Sequence, residues 1–172
     1  PTRTATFADL VEESPMGVAW HKVPETQRLL SMMSDINLDK IEQAKKRSNE
    51  TGRRMVGTVY RRTRRDDLGD KVQRAEVRFD GVAGCLRTPV GGSSRQMILV
   101  VEGEKIRSRL ISGRETARLM GLPDDYNLPE RYNEAYHLTG DGVAVPVVRH
   151  MARHILFPVL AEQAAFLRVA AA

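Results

Sequence analysis

A cluster of arginines and a glycine-rich segment are the residues of this sequence best suited to chemistry, namely recognition of a phosphate-bearing ligand. The arginines fall within residues 61–65. Arginine neutralises phosphates and forms paired hydrogen bonds to guanine O6 and N7. The alternative is a solvated charged surface, because the aspartates of residues 66–70 can neutralise the arginines locally. The stretch is therefore a candidate nucleic-acid contact or an ordinary exposed loop.

The glycine-rich segment covers residues 84–96, GCLRTPVGGSSRQ. Its adjacent glycines let the backbone approach a ligand closely, and the Ser, Arg and Gln side chains beside them can donate to phosphates or base edges. Such a segment by itself is more often a flexible turn. Here a short strand predicted at 84–86 and a buried strand predicted at 97–101 would hold it rigidly. The candidate contacts in and between the two stretches are Arg61, Arg62, Arg64, Arg65, Arg74, Arg87, Gly91, Gly92, Ser93, Ser94, Arg95 and Gln96.

The composition agrees with a polyanionic partner. The chain has 172 residues, enough for one ordinary domain or a small domain with an appendage. Its formal net charge of +5 suits nucleic acid, although many soluble proteins are mildly basic. The single cysteine, Cys85, excludes an internal disulfide, and His137, His150 and His154 lack partners at metal-ligand spacing, so no metal is expected. No stretch reads as a membrane span or a signal peptide, so we expect no membrane partner and a cytoplasmic location.

Besides the short strand at 84–86, four strands are predicted to position the candidate contacts. Apolar and β-branched patterns indicate strands at 55–60, 71–79 and 97–101, and the last of these turns into a hairpin partner at 105–110. Residues 61–70 are predicted to form a loop between the first two strands. Two helices precede the sheet. Pro24 opens the first, and Asn37 is the predicted N-cap of the second, which ends at Gly52.

A short helix after the last strand is defined at both ends by the sequence. Ser112 is the predicted N-cap, and Glu115 stands at the capping-box position three residues later. Gly121 can take the left-handed conformation that ends a helix, and Pro123 prevents its continuation. The helix is predicted to span residues 112–120, roughly three turns. Its simplest role is packing.

The end of the chain is predicted to form a loop over 127–136 and then an apolar helix over 145–157. Pro146 suits the first turn of that helix. Pro158 must kink or end it, because proline cannot donate to the carbonyl of His154. Apolar residues recur three and four positions apart along one face: Val148, Met151, Ala152, Ile155 and Leu156.

Three stretches resemble the late motifs of DNA cytosine-5 methyltransferases, in the order in which that family has them. Residues 84–96 resemble the "TL-GGG" core of its target-recognition domain, with Cys85 where threonine is common. Residues 114–126, RETARLMGLPDDY, resemble its "PRE-AR-GFPDDY" motif, with Gly113 in place of the usual proline. Residues 136–146, YHLTGDGVAVP, resemble its closing "AYK-GNSV--PV" motif, with Asp141 and Gly142 replacing asparagine and serine.

The resemblance implies roles for these stretches. In that family the motif helix packs the recognition region onto the catalytic domain, and two loops read the duplex and fill the space left by an extruded cytosine. By position those loops would be residues 61–71 and 87–95. The closing motif implies that Gly140, Asp141, Gly142 and Val143 help close the pocket of the methyl donor, S-adenosylmethionine. A helix N-cap at or near Asp141 is a sound alternative and is compatible with that role.

The parts that methyl transfer requires are not found in this sequence. The family's nucleophile is a cysteine in a Pro-Cys segment. Cys85 follows Gly84 and lies in the predicted DNA-reading stretch, so no catalytic residue is assigned. The family's Glu-Asn-Val segment and its early glycine-rich donor loop are also absent. We therefore expect the chain to be inactive alone, with double-stranded DNA and a catalytic domain or subunit as its partners.

The resulting prediction is an α+β fold with a small twisted antiparallel or mixed sheet, recognition loops, flanking helices and a C-terminal helix that packs on a Rossmann-like catalytic domain outside this chain. Residues 1–23 would be an irregular lead-in, 24–130 a target-recognition domain that includes the helix 112–120, and 131–172 the closing motif and C-terminal helix. The predicted function is sequence-specific DNA recognition for an S-adenosylmethionine-dependent cytosine-5 methyltransferase, with stabilisation of a flipped cytosine. Two alternatives stay open, the small subunit of a split methyltransferase and a free-standing nucleic-acid-binding module.

Overall fold

The fold is built on one open, four-stranded antiparallel sheet. The computed structural model describes residues 5–66, 68–88 and 95–170, and side chains as far as residue 163. The strands are β1 (Met55–Arg65), β2 (Lys71–Arg78), β3 (Met97–Glu102) and β4 (Lys105–Leu110), in the spatial order β2-β1-β3-β4. The α+β class and the antiparallel sheet therefore agree with the prediction.

Helices lie before and after the sheet in the chain. Those before it are α1 (Phe7–Leu10), α2 (Val23–Ser31) and α3 (Asp35–Thr51). Those after it are α4 (Gly113–Leu119), α5 (Tyr132–Asp141), α6 (Val145–Met151), a π-helical turn (Ala152–Leu156) and α7 (Phe157–Ala170).

Each face of the sheet has its own hydrophobic core, because successive side chains of a strand point to opposite faces. On one face Val59, Val77 and Leu99 belong to a cluster with apolar residues of α2 and α3. On the other face Val56 and Ile98 belong to a cluster with residues of α1, the coil after β2, α4 and α5. The sheet is therefore the middle layer of three, and both of its faces are covered at its centre.

Helix α4 confirms the predicted cap at each end. The Ser112 hydroxyl accepts from the backbone N–H of Glu115 at 3.1 Å, and the Glu115 carboxylate accepts from the N–H of Ser112 at 2.7 Å. Gly121 has φ of +75°, the left-handed conformation expected after a helix. The helix has 7 residues, nearer two turns than the predicted three, because Met120 already forms the C-cap.

The predicted loop at 61–70 is wrong. Strand β1 continues to Arg65, which pairs with Lys71 at the start of β2, so the arginines lie on a β-ribbon. Only the tip of the ribbon is a turn, and there the Asp66 carboxylate accepts from the N–H groups of Leu68 and Asp70 at 3.0 and 2.8 Å. The strand extends because β2 supplies a hydrogen-bonding partner along the whole arginine stretch.

Two other elements differ from prediction because side chains make long-range contacts. Asn37 is not the N-cap of α3, which begins after Ser34. The Asn37 side-chain oxygen instead accepts from the N–H of Val77 in β2 at 3.1 Å. The strand predicted at 84–86 is wrong, because these residues form coil. The Gln96 side-chain amide is oriented to bond both backbone groups of Gly84. It accepts from the N–H of Gly84 at 2.8 Å and donates to the carbonyl of Gly84 at 3.2 Å.

The predicted loop at 127–136 gives way to helix α5 from Tyr132 onward. Tyr136 and Thr139 are buried on it, and the Thr139 hydroxyl donates to that of Thr116 in α4 at 3.0 Å. Asp141 is the last residue of this helix, and Ala144 is the N-cap of α6, so the alternative of an N-cap at Asp141 is displaced by three residues.

The C-terminal helical run is largely exposed. Pro146 lies in the first turn of α6, as predicted, and the π-helical turn precedes Pro158, where Phe157 donates to the carbonyl of Ala152. The run Tyr132–Gln163 is long and apolar enough to cross a membrane by length and composition alone, which differs from the sequence-based expectation. Its apolar side chains are about half exposed, including Val148, Met151, Ile155 and Leu156.

Candidate nucleic-acid interface

A cleft opens where the β1–β2 ribbon projects beyond the rest of the sheet. Val59 of β1 is the last residue to pair with β3, at Met97, whereas β1 runs on to Arg65 with β2 as its partner. The free edge of β1 therefore faces the body of the molecule across an open cleft of about 1680 Å³. The molecule therefore has a concave surface beside the projecting β1–β2 ribbon.

Arginines from separate parts of the chain meet at this cleft. The ribbon contributes Arg61, Arg62 and Arg78, helix α2 contributes Arg28, and the segments that flank residues 89–94 contribute Arg87 and Arg95. Tyr60, Glu76, Cys85 and Gln96 also line the cleft. Arg62 and Arg95 are thus on one concave surface, although they are far apart in the sequence.

Strand alternation divides the arginine cluster between the two faces of the ribbon. Arg62 and Arg64 share a face, and Arg74 lies opposite Arg62 on β2. Arg61 and Arg65 point to the other face. Arg61 and Arg62 can both line the cleft because it opens at the free edge of β1. Among the predicted contacts, Arg64, Arg65 and Arg74 are on the ribbon outside the cleft lining.

Glu76 of β2, which is partly exposed, pairs with Arg62 and Arg64. Its carboxylate lies 3.1 Å from Nη2 of Arg64 and 3.9 Å from Nε of Arg62. The Arg62 guanidinium also lies 5.9 Å from the centre of the Tyr60 ring. Half-exposed ion pairs of this kind are weak in water, so a phosphate can replace Glu76 as a partner. Arg65 instead donates to the carbonyl of Gly69 at 2.7 Å, within the turn.

The far wall of the cleft is anchored to α5. Arg95 donates to the Asn133 side chain at 2.5 Å and lies 5.7 Å from the centre of the Tyr132 ring. Burial raises the pKa of Tyr132, so its hydroxyl stays protonated and donates to the carbonyl of Ile111 at 3.0 Å. Arg95 is therefore presented by a fixed aromatic platform.

Gln96 lines the cleft, but its polar groups are used within the fold. Gln96 is buried, and its N–H donates to the Tyr136 hydroxyl at 3.1 Å, while its side chain is engaged with Gly84. Its amide is used inside the fold. Arg87 is exposed. The predicted contacts Gly91, Gly92, Ser93 and Ser94 lie outside the described residues.

The residues expected to contact S-adenosylmethionine do not form a pocket for it within the described residues. Gly140 and Asp141 lie at the end of α5 and face the segment before residue 89, where the Asp141 carboxylate accepts from the Thr88 hydroxyl. Gly142 is exposed and Val143 is 67% exposed. Neither described cavity is lined by any of these residues. The arrangement does not fit a donor site formed by this chain alone.

Sequence reasoning missed Arg28, Tyr60 and Arg78 as cleft residues. Period-two alternation along β2 places Arg78 on the same face as Arg74, so the strand pattern contained that signal. Arg28 and Tyr60 could be found only from the packing of α2 and of the coil beside β1.

Comparison with known proteins assigns the family. The C-5 cytosine-specific DNA methylase family matches residues 2–156. Type II methyltransferase M.HpaII of Haemophilus parainfluenzae is 35% identical over 92 residues, which is 45% of this chain and 25% of that protein. Type II methyltransferase M.SsoII of Shigella sonnei is 36% identical over 58 residues, 34% of this chain and 15% of that protein. For Type II methyltransferase M.NlaIV of Neisseria lactamica, the identity is 40% over 48 residues, 28% of this chain and 11% of that protein.

The matched part of the chain thus spans a quarter or less of the length of these relatives. No solved structure matches the chain. The family match covers most of the sequence, including all four strands and α1 to α6. This chain belongs to the C-5 cytosine-specific DNA methylase family.

Proposed function

We propose that this chain is the DNA-recognition part of a cytosine-5 methyltransferase. The observation that carries the proposal is the convergence of Arg62 and Arg95 on one cleft, together with Arg28, Arg61, Arg78 and Arg87. Membership of a DNA methylase family makes duplex DNA the polyanion that this surface would meet. The relatives are named Type II methyltransferases, and we extend a restriction–modification role to this chain.

The shape of the ribbon supports duplex DNA as the ligand. A two-stranded β-ribbon fits the major groove of B-DNA, where arginine can bond guanine O6 and N7. The β1–β2 ribbon projects from the body and has arginines on both faces. Residues on its cleft side would contact the phosphate backbone while its tip approaches the bases. Stabilisation of a flipped cytosine would fall to the same cleft, next to residues 87–95.

The exposed face of α6 and the π-helical turn is proposed to dock on the catalytic part of the enzyme. Val148, Met151, Ile155 and Leu156 form an apolar surface that a free-standing module would normally bury. This exposure favours part of a larger enzyme, single-chain or split, over a free-standing module. In this arrangement residues 1–23 would lead in, 24–130 would recognise DNA and 131–172 would join the catalytic body.

Methyl transfer itself is assigned to the catalytic part of the complete enzyme. Enzymes of this family use S-adenosylmethionine, which supplies the methyl group. The attacking cysteine would lie in the catalytic part, because Cys85 is in the cleft of the recognition region. The described chain would hold and orient the duplex, and we expect no methyl transfer from it alone.

Binding of fluorescent duplex DNA at several salt concentrations tests this function. We expect an affinity that falls steeply with salt, as for a surface that displaces counterions from phosphates. Labelled S-adenosylmethionine should leave no label in the DNA. Absence of duplex binding at low salt would refute the recognition role. Incorporation of label into the DNA would refute the expectation that this chain alone does not transfer methyl groups.

A further inference from the structure

The end of helix α5 is joined to the segment that carries Arg87. The Thr88 hydroxyl donates a hydrogen bond to the Asp141 carboxylate. Next to it, the α-carbon of Gly140 faces the backbone of the same segment. A β-carbon added there would lie 3.1 Å from the Thr88 nitrogen and 3.3 Å from the Arg87 carbonyl carbon. Two adjacent residues of α5 thus hold the backbone that leads into the cleft.

Neither residue is favoured within the last turn of a helix unless a contact requires it. Glycine is unfavourable in a helix interior, since it has more backbone freedom to lose than alanine. An acidic residue in the last turn opposes the partial negative charge of the helix C-terminus. Two adjacent residues that are both unfavourable in a last helical turn indicate that a tertiary contact requires them. The close approach of the segment to Gly140 and the Thr88–Asp141 bond supply that requirement.

We propose that Gly140 and Asp141 are positioning residues for the DNA-reading wall of the cleft. They fix the Arg87–Thr88 backbone and so direct Arg87 into the cleft. Residues 142–144 connect the end of α5 to α6, whose apolar face is exposed. The contact therefore links the DNA-reading wall to the surface proposed to dock on the catalytic body. This inference rests on the DNA-binding role proposed for the cleft.

The test is a set of substitutions at the two ends of the hydrogen bond. Asp141→Ala and Thr88→Val remove it, whereas Asp141→Asn and Thr88→Ser keep an acceptor or a hydroxyl. We expect each disruptive change to weaken duplex affinity about 3- to 10-fold, the size of one lost hydrogen bond. The double variant should lose no more than either single one, and the conservative variants should bind like the parent chain. The dependence on salt should stay the same, because no phosphate contact is removed.

A second readout separates this inference from the DNA-binding role. Hydrogen exchange at the amides of residues 85–88 should accelerate in Asp141→Ala and Thr88→Val but not in their conservative counterparts, while β3 stays protected. If the parent chain fails to bind duplex, the recognition role fails, and the exchange data still decide whether Asp141 holds the segment. Unchanged exchange and unchanged affinity in Asp141→Ala would overturn the inference, as would additive losses in the double variant.

Discussion

Arg109 and Glu115 form a fully buried ion pair that joins strand β4 to helix α4. Their closest atoms, Arg109 Nη2 and Glu115 Oε1, lie 2.6 Å apart, and Nη1 and Oε2 lie 2.8 Å apart. Glu12 enters the same network: its N–H donates to Glu115, and its carbonyl accepts from Arg109. The Trp20 ring lies 4.8 Å from the Arg109 guanidinium. The capping box of α4 is thus also the point where the N-terminal segment is fixed to the sheet.

Glu115→Gln should destabilise the fold strongly. The change keeps the shape but leaves the Arg109 guanidinium buried without its counter-charge, which costs about 3–5 kcal/mol when one partner of a buried pair is lost. Urea unfolding of the two chains measures the difference. Glu134→Gln is the control, because Glu134 forms only an exposed pair with Arg131. Equal effects of the two substitutions would contradict a structural role for the buried pair.

The loss of unfolding free energy caused by Glu115→Gln should be smaller at acidic pH. Burial raises the pKa of Glu115, but hydrogen bonds from Arg109 and Ser112 and the charge of Arg109 outweigh it and lower the pKa below its ordinary value. A lowered pKa stabilises the fold above the unfolded value of about 4.3, and this stability is lost as pH falls toward the folded pKa. The urea midpoints of the parent chain and of the Glu115→Gln variant should converge as the pH falls from neutral to 3. A constant difference across this range would count against the assignment.

Arg62→Ala, Arg64→Ala and Arg95→Ala should each weaken duplex binding. Each lost phosphate contact should reduce the salt slope by about one unit. Lys46→Ala on α3 is the matched control, since it removes the same charge from an exposed side chain that does not line the cleft. Anisotropy titrations over a range of salt concentrations give both quantities. If the salt slope is unchanged in the arginine variants, these arginines are solvated surface residues without phosphate contacts.

Ile155→Glu should reduce self-association of the isolated chain. An exposed apolar face that lacks its partner is expected to be adhesive, and a charge at its centre opposes burial. Arg149→Gln, which lowers the net charge by the same amount on the polar side, should not change association. Gel filtration with light scattering measures the mass. A parent chain that is monomeric at high concentration would favour the free-standing module.

Gly121→Ala should disturb the start of the exposed C-terminal helix. Gly121 has φ of +75°, and a β-carbon there would lie 2.5 Å from Cδ of Pro146. Gly52→Ala is the control, because Gly52 has a similar φ of +64° and no atom within 4 Å of that position. Both variants carry the left-handed strain of about 1–2 kcal/mol, and only Gly121→Ala adds the clash. Thermal unfolding should therefore show a larger loss for Gly121→Ala; equal losses would refute the contact.

Several elements could be predicted because their signals are local. The β3–β4 hairpin, the capping box of Ser112 and Glu115, and the glycines that end α3 and α4 all depend on residues a few positions apart. Backbone groups at a helix end are satisfied within one turn, so residue type and spacing predict them.

Elements that depend on distant partners could not be predicted in this way. Asn37 reads as a helix cap, yet it bonds to Val77 across the core. Asp141 is a candidate helix N-cap by sequence, yet it is the last residue of α5 and accepts from the Thr88 hydroxyl. In each case a contact between residues far apart in the chain outweighed a weak local preference.

The sequence by itself determined the class of fold, the identity of the strands and capped helices, and the abundance of arginine in two candidate stretches. Only the tertiary structure decided that Arg61 and Arg62 point to opposite faces of a ribbon and that Arg62 and Arg95 share a cleft. The reason is that strand pairing sets both the face and the neighbours of each side chain. The pairing of β1 depends on β2, the strand it pairs with along the arginine stretch.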